Sequence, residues 1–225
     1  MNIDSITHDT NAFRFELPAG IALDFLPGDH LMMHADIGGA DVTRPYTPTS
    51  TPDDRGFFEL IVKRYPTGNI SRYLHSCKVG DEVLLEGPYV GGNFVEGMAQ
   101  AVGLVAGGAG ITPMISIIRT ALRRGYPVNV HLLYANKTEK DIILREEFEG
   151  YTHAHNSFRC TFTLDNPPTQ WKGATGFISE DMLRQFLPDP RDSTVVFLCG
   201  PPMMEFKVRQ ALLSLGYNKK QIIIP

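Results

Sequence analysis

The sequence predicts an antiparallel β-barrel followed by a doubly wound α/β unit on a parallel sheet. Two observations carry this: apolar and polar residues alternate with period two up to about residue 98, and after Gln100 buried apolar runs alternate with helical segments. A third is that glycine-rich turns stand where the later apolar runs end. At 225 residues and 43% hydrophobic content the chain can bury the core that such a pair of units needs.

In the first half, Phe13-Arg14-Phe15-Glu16-Leu17, Phe57 to Val62 and Glu82 to Glu86 read as strands. Turn signals separate them at Pro27-Gly28, Gly38-Gly39, Asp53-Asp54-Arg55-Gly56 and Val79-Gly80-Asp81, an interval suited to a small barrel. One helix interrupts, near Asn69 to Ser76. Gly87-Pro88-Tyr89-Val90-Gly91-Gly92 reads as a structural closing turn.

The second half opens with the strand Ala101 to Ala106, then a helix from Thr112 to Arg124 and a strand from Val128 to Tyr134. Helices are expected at Glu139 to Glu149, Ser179 to Leu187 and Met203 to Leu215, with strands near Phe158 to Leu164, Thr194 to Cys199 and Gln221 to Ile224. Such alternation means a parallel sheet covered on both faces. The boundary is placed near Gly97 to Gln100, giving units of 1–98 and 99–225.

Composition excludes several classes. A net charge of -4 and no dense Lys/Arg run argue against nucleic acid as a partner. Cys77, Cys160 and Cys199 are odd in number and far apart, so neither a disulfide framework nor a metal site is expected, and a reducing, cytoplasmic setting is. Neither a signal peptide nor an apolar run of membrane-spanning length is read in the chain.

Four segments carry chemistry. Arg44-Pro45-Tyr46-Thr47-Pro48-Thr49-Ser50 joins a fixed cation, an aromatic plate and hydroxyls, which suits a flavin nucleotide; read alone it fits equally a strand leaving through a proline-bounded turn. Gly68-Asn69-Ile70-Ser71 is either an anion cradle or an ordinary helix cap. Gly107-Gly108-Ala109-Gly110-Ile111-Thr112-Pro113-Met114 sits between a strand and a helix, where ligand phosphates approach backbone closely. Cys199-Gly200-Pro201-Pro202-Met203-Met204 repeats that placement, so both loops should flank one crevice.

In this order the four segments resemble the ferredoxin-NADP reductase superfamily, and more closely its NADH-cytochrome b5 reductase and nitrate reductase flavin domain members. Tyr134-Ala135-Asn136-Lys137-Thr138 and Thr163-Leu164-Asp165 add to the likeness, which covers nearly the whole chain. The resemblance implies a Greek-key FAD-binding barrel and an NAD-binding domain. It implies that Arg44 pairs with the FAD pyrophosphate, that Pro45, Tyr46 and Thr47 line the flavin, and that Gly68, Asn69, Ile70 and Ser71 form the second pyrophosphate segment. Lys63 and Tyr65 would lie near both cofactors and Thr112 near the flavin. Gly107, Gly108, Cys199, Gly200, Pro201 and Pro202 would line the nicotinamide crevice, and Asp165 and Phe177 the adenosine. A carboxylate at Asp165 accepts hydrogen bonds from ribose hydroxyls and repels a 2′-phosphate, which favours NADH over NADPH.

The chain departs from the pattern of the closest relatives at Ala109, where a threonine is usual, and at Lys137, where a glutamine is common. The first strand also starts late, and Ile222-Ile223-Ile224-Pro225 lacks a terminal aromatic, as in an excised domain or a divergent subfamily. The implied activity is hydride transfer from NADH to FAD, then single electrons to a haem or iron-sulfur protein or fused redox module, with Cys199, Thr112 and Lys63 in catalytic positions. The alternatives are a flavin or quinone reductase with diffusible acceptors and a non-catalytic nucleotide-binding module.

Overall fold

A computed structural model describes residues 2–225. The first half forms β1 (Asn2–Thr7), β2 (Thr10–Glu16), β3 (His30–Ile37), β4 (Ala40–Tyr46), β5 (Phe57–Lys63), the helix α1 (Asn69–Ser76) and β6 (Leu84–Tyr89). They pair antiparallel in two three-stranded sheets, ordered β1-β2-β5 and β4-β3-β6. The connection from β2 through β3 and β4 back to β5 is of Greek-key type. Alternation in β2 turns Phe13 and Phe15 inward and Arg14 and Glu16 outward. Phe13, Leu60 and Leu74 are fully buried in the barrel core, each stabilising it by about 1.5–3 kcal/mol relative to exposure. Pro45 is tolerated because β4 is an edge strand and forgoes no interior ladder bond.

The second half forms β7 (Ala101–Gly107), α2 (Thr112–Arg123), β8 (Asn129–Asn136), α3 (Arg145–Ala154), β9 (Phe158–Leu164), β10 (Ala174–Thr175), α4 (Glu180–Phe186), β11 (Thr194–Cys199), α5 (Pro202–Ser214) and β12 (Ile222–Ile223). One six-stranded parallel sheet results, ordered β10-β9-β8-β7-β11-β12. The chain winds outward from β7 in one direction, then returns to β7's other side with β11. The topological switch point therefore lies between β7 and β11, where a crevice opens at the strands' carboxyl ends.

The helix expected over Glu139 to Glu149 is not continuous. Thr138 and Asp141 close a capping box around a single 3₁₀ turn, Glu139–Asp141, and Leu144 takes a left-handed φ of 56° before α3 begins at Arg145. The break lets Ile142 and Ile143 point into the core, which one helical face could not do for adjacent residues.

β5 departs from period two for a related reason: Leu60 and Val62 fill the barrel, while Ile61 is buried on the opposite face. Ile61 and Ala12 pack into the same cluster as Ile117 and Phe148 of the second half. The barrel's outer face is thus covered by the α/β unit, and polar ties reinforce the seam. Arg119 on α2 donates to the Thr49 carbonyl (2.7 Å) and pairs with Glu59 (3.2 Å) and Glu147 (2.7 Å).

Candidate active site

Residues two apart on a strand share a face, so β4 presents Arg44 and Tyr46 together at its end. Arg44 is exposed, donates to the carbonyl of Thr43 (2.7 Å), and makes no ion pair among the described residues. The Tyr46 hydroxyl is pushed up to about 12 by burial, with Arg44 pulling the other way and Tyr65 adding to the rise. The hydroxyls beyond Tyr46 divide. Thr49 donates to the Glu59 carbonyl (3.3 Å) and Ser50 accepts the Glu59 N–H (3.1 Å), which spends both on β5; half-buried Thr47 remains.

α1 starts at Gly68 with no side-chain cap, which leaves the first N–H groups of the helix without partners among the described residues. Buried Ser71 turns its hydroxyl back to accept the Tyr65 N–H (3.2 Å), so an anion here meets the backbone of Asn69 and Ile70 first. A Cβ on Gly68 would lie 2.3 Å from the Ser71 Oγ. An unpaired arginine, two tyrosines and an uncapped helix start on one side fit a flavin joined to a pyrophosphate.

Across the seam, the two loops of the switch-point crevice press together. β7 and β11 pair Ala106 with Cys199. A Cβ on Gly110 would lie 2.2 Å from the Cys199 carbonyl oxygen, and one on Gly107 2.4 Å from the Met204 Sδ. Gly108 has φ of 53° and open space beside it, which leaves a shallow cradle. Thr112 opens α2 and donates to the Ala109 carbonyl (3.1 Å). Burial first and Glu205 second push the Cys199 thiol up to about 11. The Gly200 N–H donates to Glu205 (2.9 Å), and Pro201 and Pro202 are exposed at the start of α5. Tyr65, just after β5, has its hydroxyl raised first by burial, with Lys63 opposing the rise.

At the far end of the crevice, Asp165 follows β9 and its N–H donates to the Asn136 carbonyl (3.0 Å). Burial raises its carboxyl and Lys137 opposes the rise. Phe177, 81% exposed, stands beyond Gly176 as an uncovered aromatic plate. Lys63, expected near both cofactors, is drawn into an ion-pair cluster at the seam. Its ammonium is held by Asp9 (2.8 Å) and Asp141 (3.3 Å), joining β5 to the turn before α3.

Two residues that the sequence did not single out within its motifs belong to this region. Asn136 is buried at the end of β8 with both side-chain amide atoms unpartnered among the described residues. A buried amide at the carboxyl end of β8 fits a site that is completed by a polar ligand. Met204 floors the crevice under Gly107 and Gly200. Asn136 lay inside the quoted Tyr134 to Thr138 run, but only burial distinguishes it from its neighbours.

A flavin-shaped face on an antiparallel barrel, set against the switch point of a parallel sheet, defines a two-domain flavin and nicotinamide oxidoreductase. Residues 1–94 match the Oxidoreductase FAD-binding domain and residues 104–210 the Oxidoreductase NAD-binding domain. The chain is 37% identical over 219 residues to NADH-cytochrome b5 reductase 1 of Dictyostelium discoideum, covering 96% of this chain and 77% of that protein. It is 40% identical over 224 residues to NADH-cytochrome b5 reductase 1 of Aspergillus terreus, covering 95% and 75%. The cytochrome b5 reductase domain of Ulva prolifera nitrate reductase superimposes with a TM-score of 0.92 at 31% identity, covering 100% of this chain and 94% of that domain. The chain belongs to the NADH-cytochrome b5 reductase family. No helix among the described residues is long and apolar enough to cross a membrane.

Proposed function

We propose that the chain is an FAD-dependent reductase that takes a hydride from NADH and delivers electrons one at a time to a haem protein of the cytochrome b5 kind. The observation that carries this is the shared core of Ala12, Ile61, Ile117 and Phe148, which fixes the barrel bearing Arg44 and Tyr46 against the unit whose β7 and β11 open the switch-point crevice. When bound, FAD supplies the exchange between a two-electron donor and one-electron acceptors.

On this reading residues 1–98 hold the flavin and 99–225 the nucleotide. Arg44 neutralises the pyrophosphate together with the N–H groups from Gly68 to Ser71, while Pro45, Tyr46 and Thr47 set the flavin's edge and face. Gly107, Gly108, Gly200, Pro201 and Pro202 keep bulk out of the nicotinamide's path. Thr112 and Cys199 align it, and Asp165 and Phe177 hold the adenosine. A thiol held up to about 11 stays neutral through the physiological range, so Cys199 presents a soft uncharged wall. No side chain has to shuttle a proton for hydride transfer, so orientation and exclusion of water are the protein's tasks. Lys63 acts through Asp9 and Asp141 by fixing the barrel against the nucleotide unit.

Purified protein should be yellow, retain FAD, bleach anaerobically with NADH, and turn over ferricyanide and then cytochrome b5. A colourless preparation that will not take up FAD sinks the proposal. Turnover of ferricyanide and quinones without cytochrome b5 would assign diffusible acceptors instead.

A further inference from the structure

Adjacent β8 and β9 pair Asn136 with Leu164, so the next residues on each, Lys137 and Asp165, leave the carboxyl edge of the sheet side by side. Backbone bonds hold that juxtaposition: Asp165 N–H to the Asn136 carbonyl (3.0 Å) and Asn166 N–H to the Lys137 carbonyl (2.8 Å). Lys137 is exposed and has no carboxylate within ion-pair distance among the described residues. The nearest acid in sequence, Glu139, is turned to Arg145. Its ammonium is therefore free, yet near enough to Asp165 to act on that carboxyl through charge.

We propose that Lys137 offsets Asp165 at the adenosine end of the crevice, so that the site admits a 2′-phosphate and discriminates NADH from NADPH less than its aspartate alone would. This rests on the nucleotide site proposed above. A lone carboxylate accepts ribose hydroxyls and repels a phosphate. Beside a free ammonium the same carboxylate still accepts the hydroxyls, while an incoming phosphate meets a dipole of near-zero net charge and has a cation to turn toward. Lys137 is flexible and exposed, so it can swing to the phosphate without moving backbone, and its attraction is screened by salt.

The test is calorimetric titration of the FAD-loaded protein with ADP-ribose and with 2′-phospho-ADP-ribose, which reads binding without turnover. Lys137→Gln should weaken the phosphorylated fragment about fivefold and leave ADP-ribose within about twofold. Lys137→Arg should retain both, high salt should erase the wild type's hold on the phosphate, and Asp165→Asn should tighten the phosphorylated fragment. An unchanged melting temperature in Lys137→Gln shows that the fold is intact. Equal effects of Lys137→Gln on the two fragments, or none on either, overturn the proposal. If ADP-ribose itself fails to bind the wild type, the nucleotide site falls and this inference with it.

Discussion

Single residues at the crevice do their work by what they do not do. Cys199 carries no charge at neutral pH, so its thiol should contribute no pH dependence to flavin reduction between about pH 6 and 9. Replacing Cys199 by Ala should slow reduction by NADH more than it weakens NADH binding; stopped-flow rates that match the wild type would remove Cys199 from the reaction. Arg44 is the opposite case, a charge without an internal carboxylate partner. Arg44→Ala should weaken FAD retention by about 2 kcal/mol, roughly thirtyfold, as charge-assisted hydrogen bonds are worth. Flavin release followed by fluorescence checks it. The residue types at both positions were legible in sequence because their chemistry is local. Asn136 was not singled out, since an asparagine's missing partners exist only once its surroundings are packed.

The loops that follow β7 and β11 work as one element, and their glycines show how tightly. A methyl group at Gly110 would meet main-chain atoms of Cys199 and Gly200, which cannot rotate away. Gly110→Ala should destabilise the fold by about 1–3 kcal/mol, the usual cost of overpacking, read as a lower denaturation midpoint at constant slope. At Gly108 the neighbouring space is open but φ is positive, so an alanine there strains the backbone without clashing. Helices and strands with one apolar face were legible from periodicity alone, as α1 and β2 show. The segment from Glu139 to Glu149 was not, because helix-forming residues there yield to the burial of Ile142 and Ile143.

The whole molecule is held at its seam by carboxylates whose pKa values folding depresses. Burial would raise Glu147, but Arg119 lowers it below its ordinary 4.5; half-buried Asp9 and Asp141 fall below 3.8 against their own desolvation, Asp9 through Lys63 and Asp141 through Thr138 and then Lys63. Their stabilisation is complete above those ordinary values and lost as pH falls through the folded ones. Lys63, raised above 10.5 by the same pairs against its burial, contributes below that value and loses its part as pH rises further. These groups should therefore leave stability level between about pH 5 and 10 and steepen its fall in acid, with Glu147→Gln making the acid limb shallower. Equilibrium unfolding across pH measures this. Arg119→Met should also destabilise, by about 1–3 kcal/mol, because half-buried Glu147 would lose its cation while Glu59 keeps Arg14.

The sequence by itself determined the two grammars, the order of the glycine turns and the residue types a flavin and a nicotinamide require, because hydrophobic period and turn chemistry act over a few residues. Only the tertiary structure decided that β11 lies beside β7, which makes one crevice of loops some ninety residues apart. The same packing tied Lys63 between Asp9 and Asp141, and set Lys137 beside Asp165. Those outcomes depend on strand order and on which faces are covered, and contacts between residues distant in sequence leave no periodic mark in either segment.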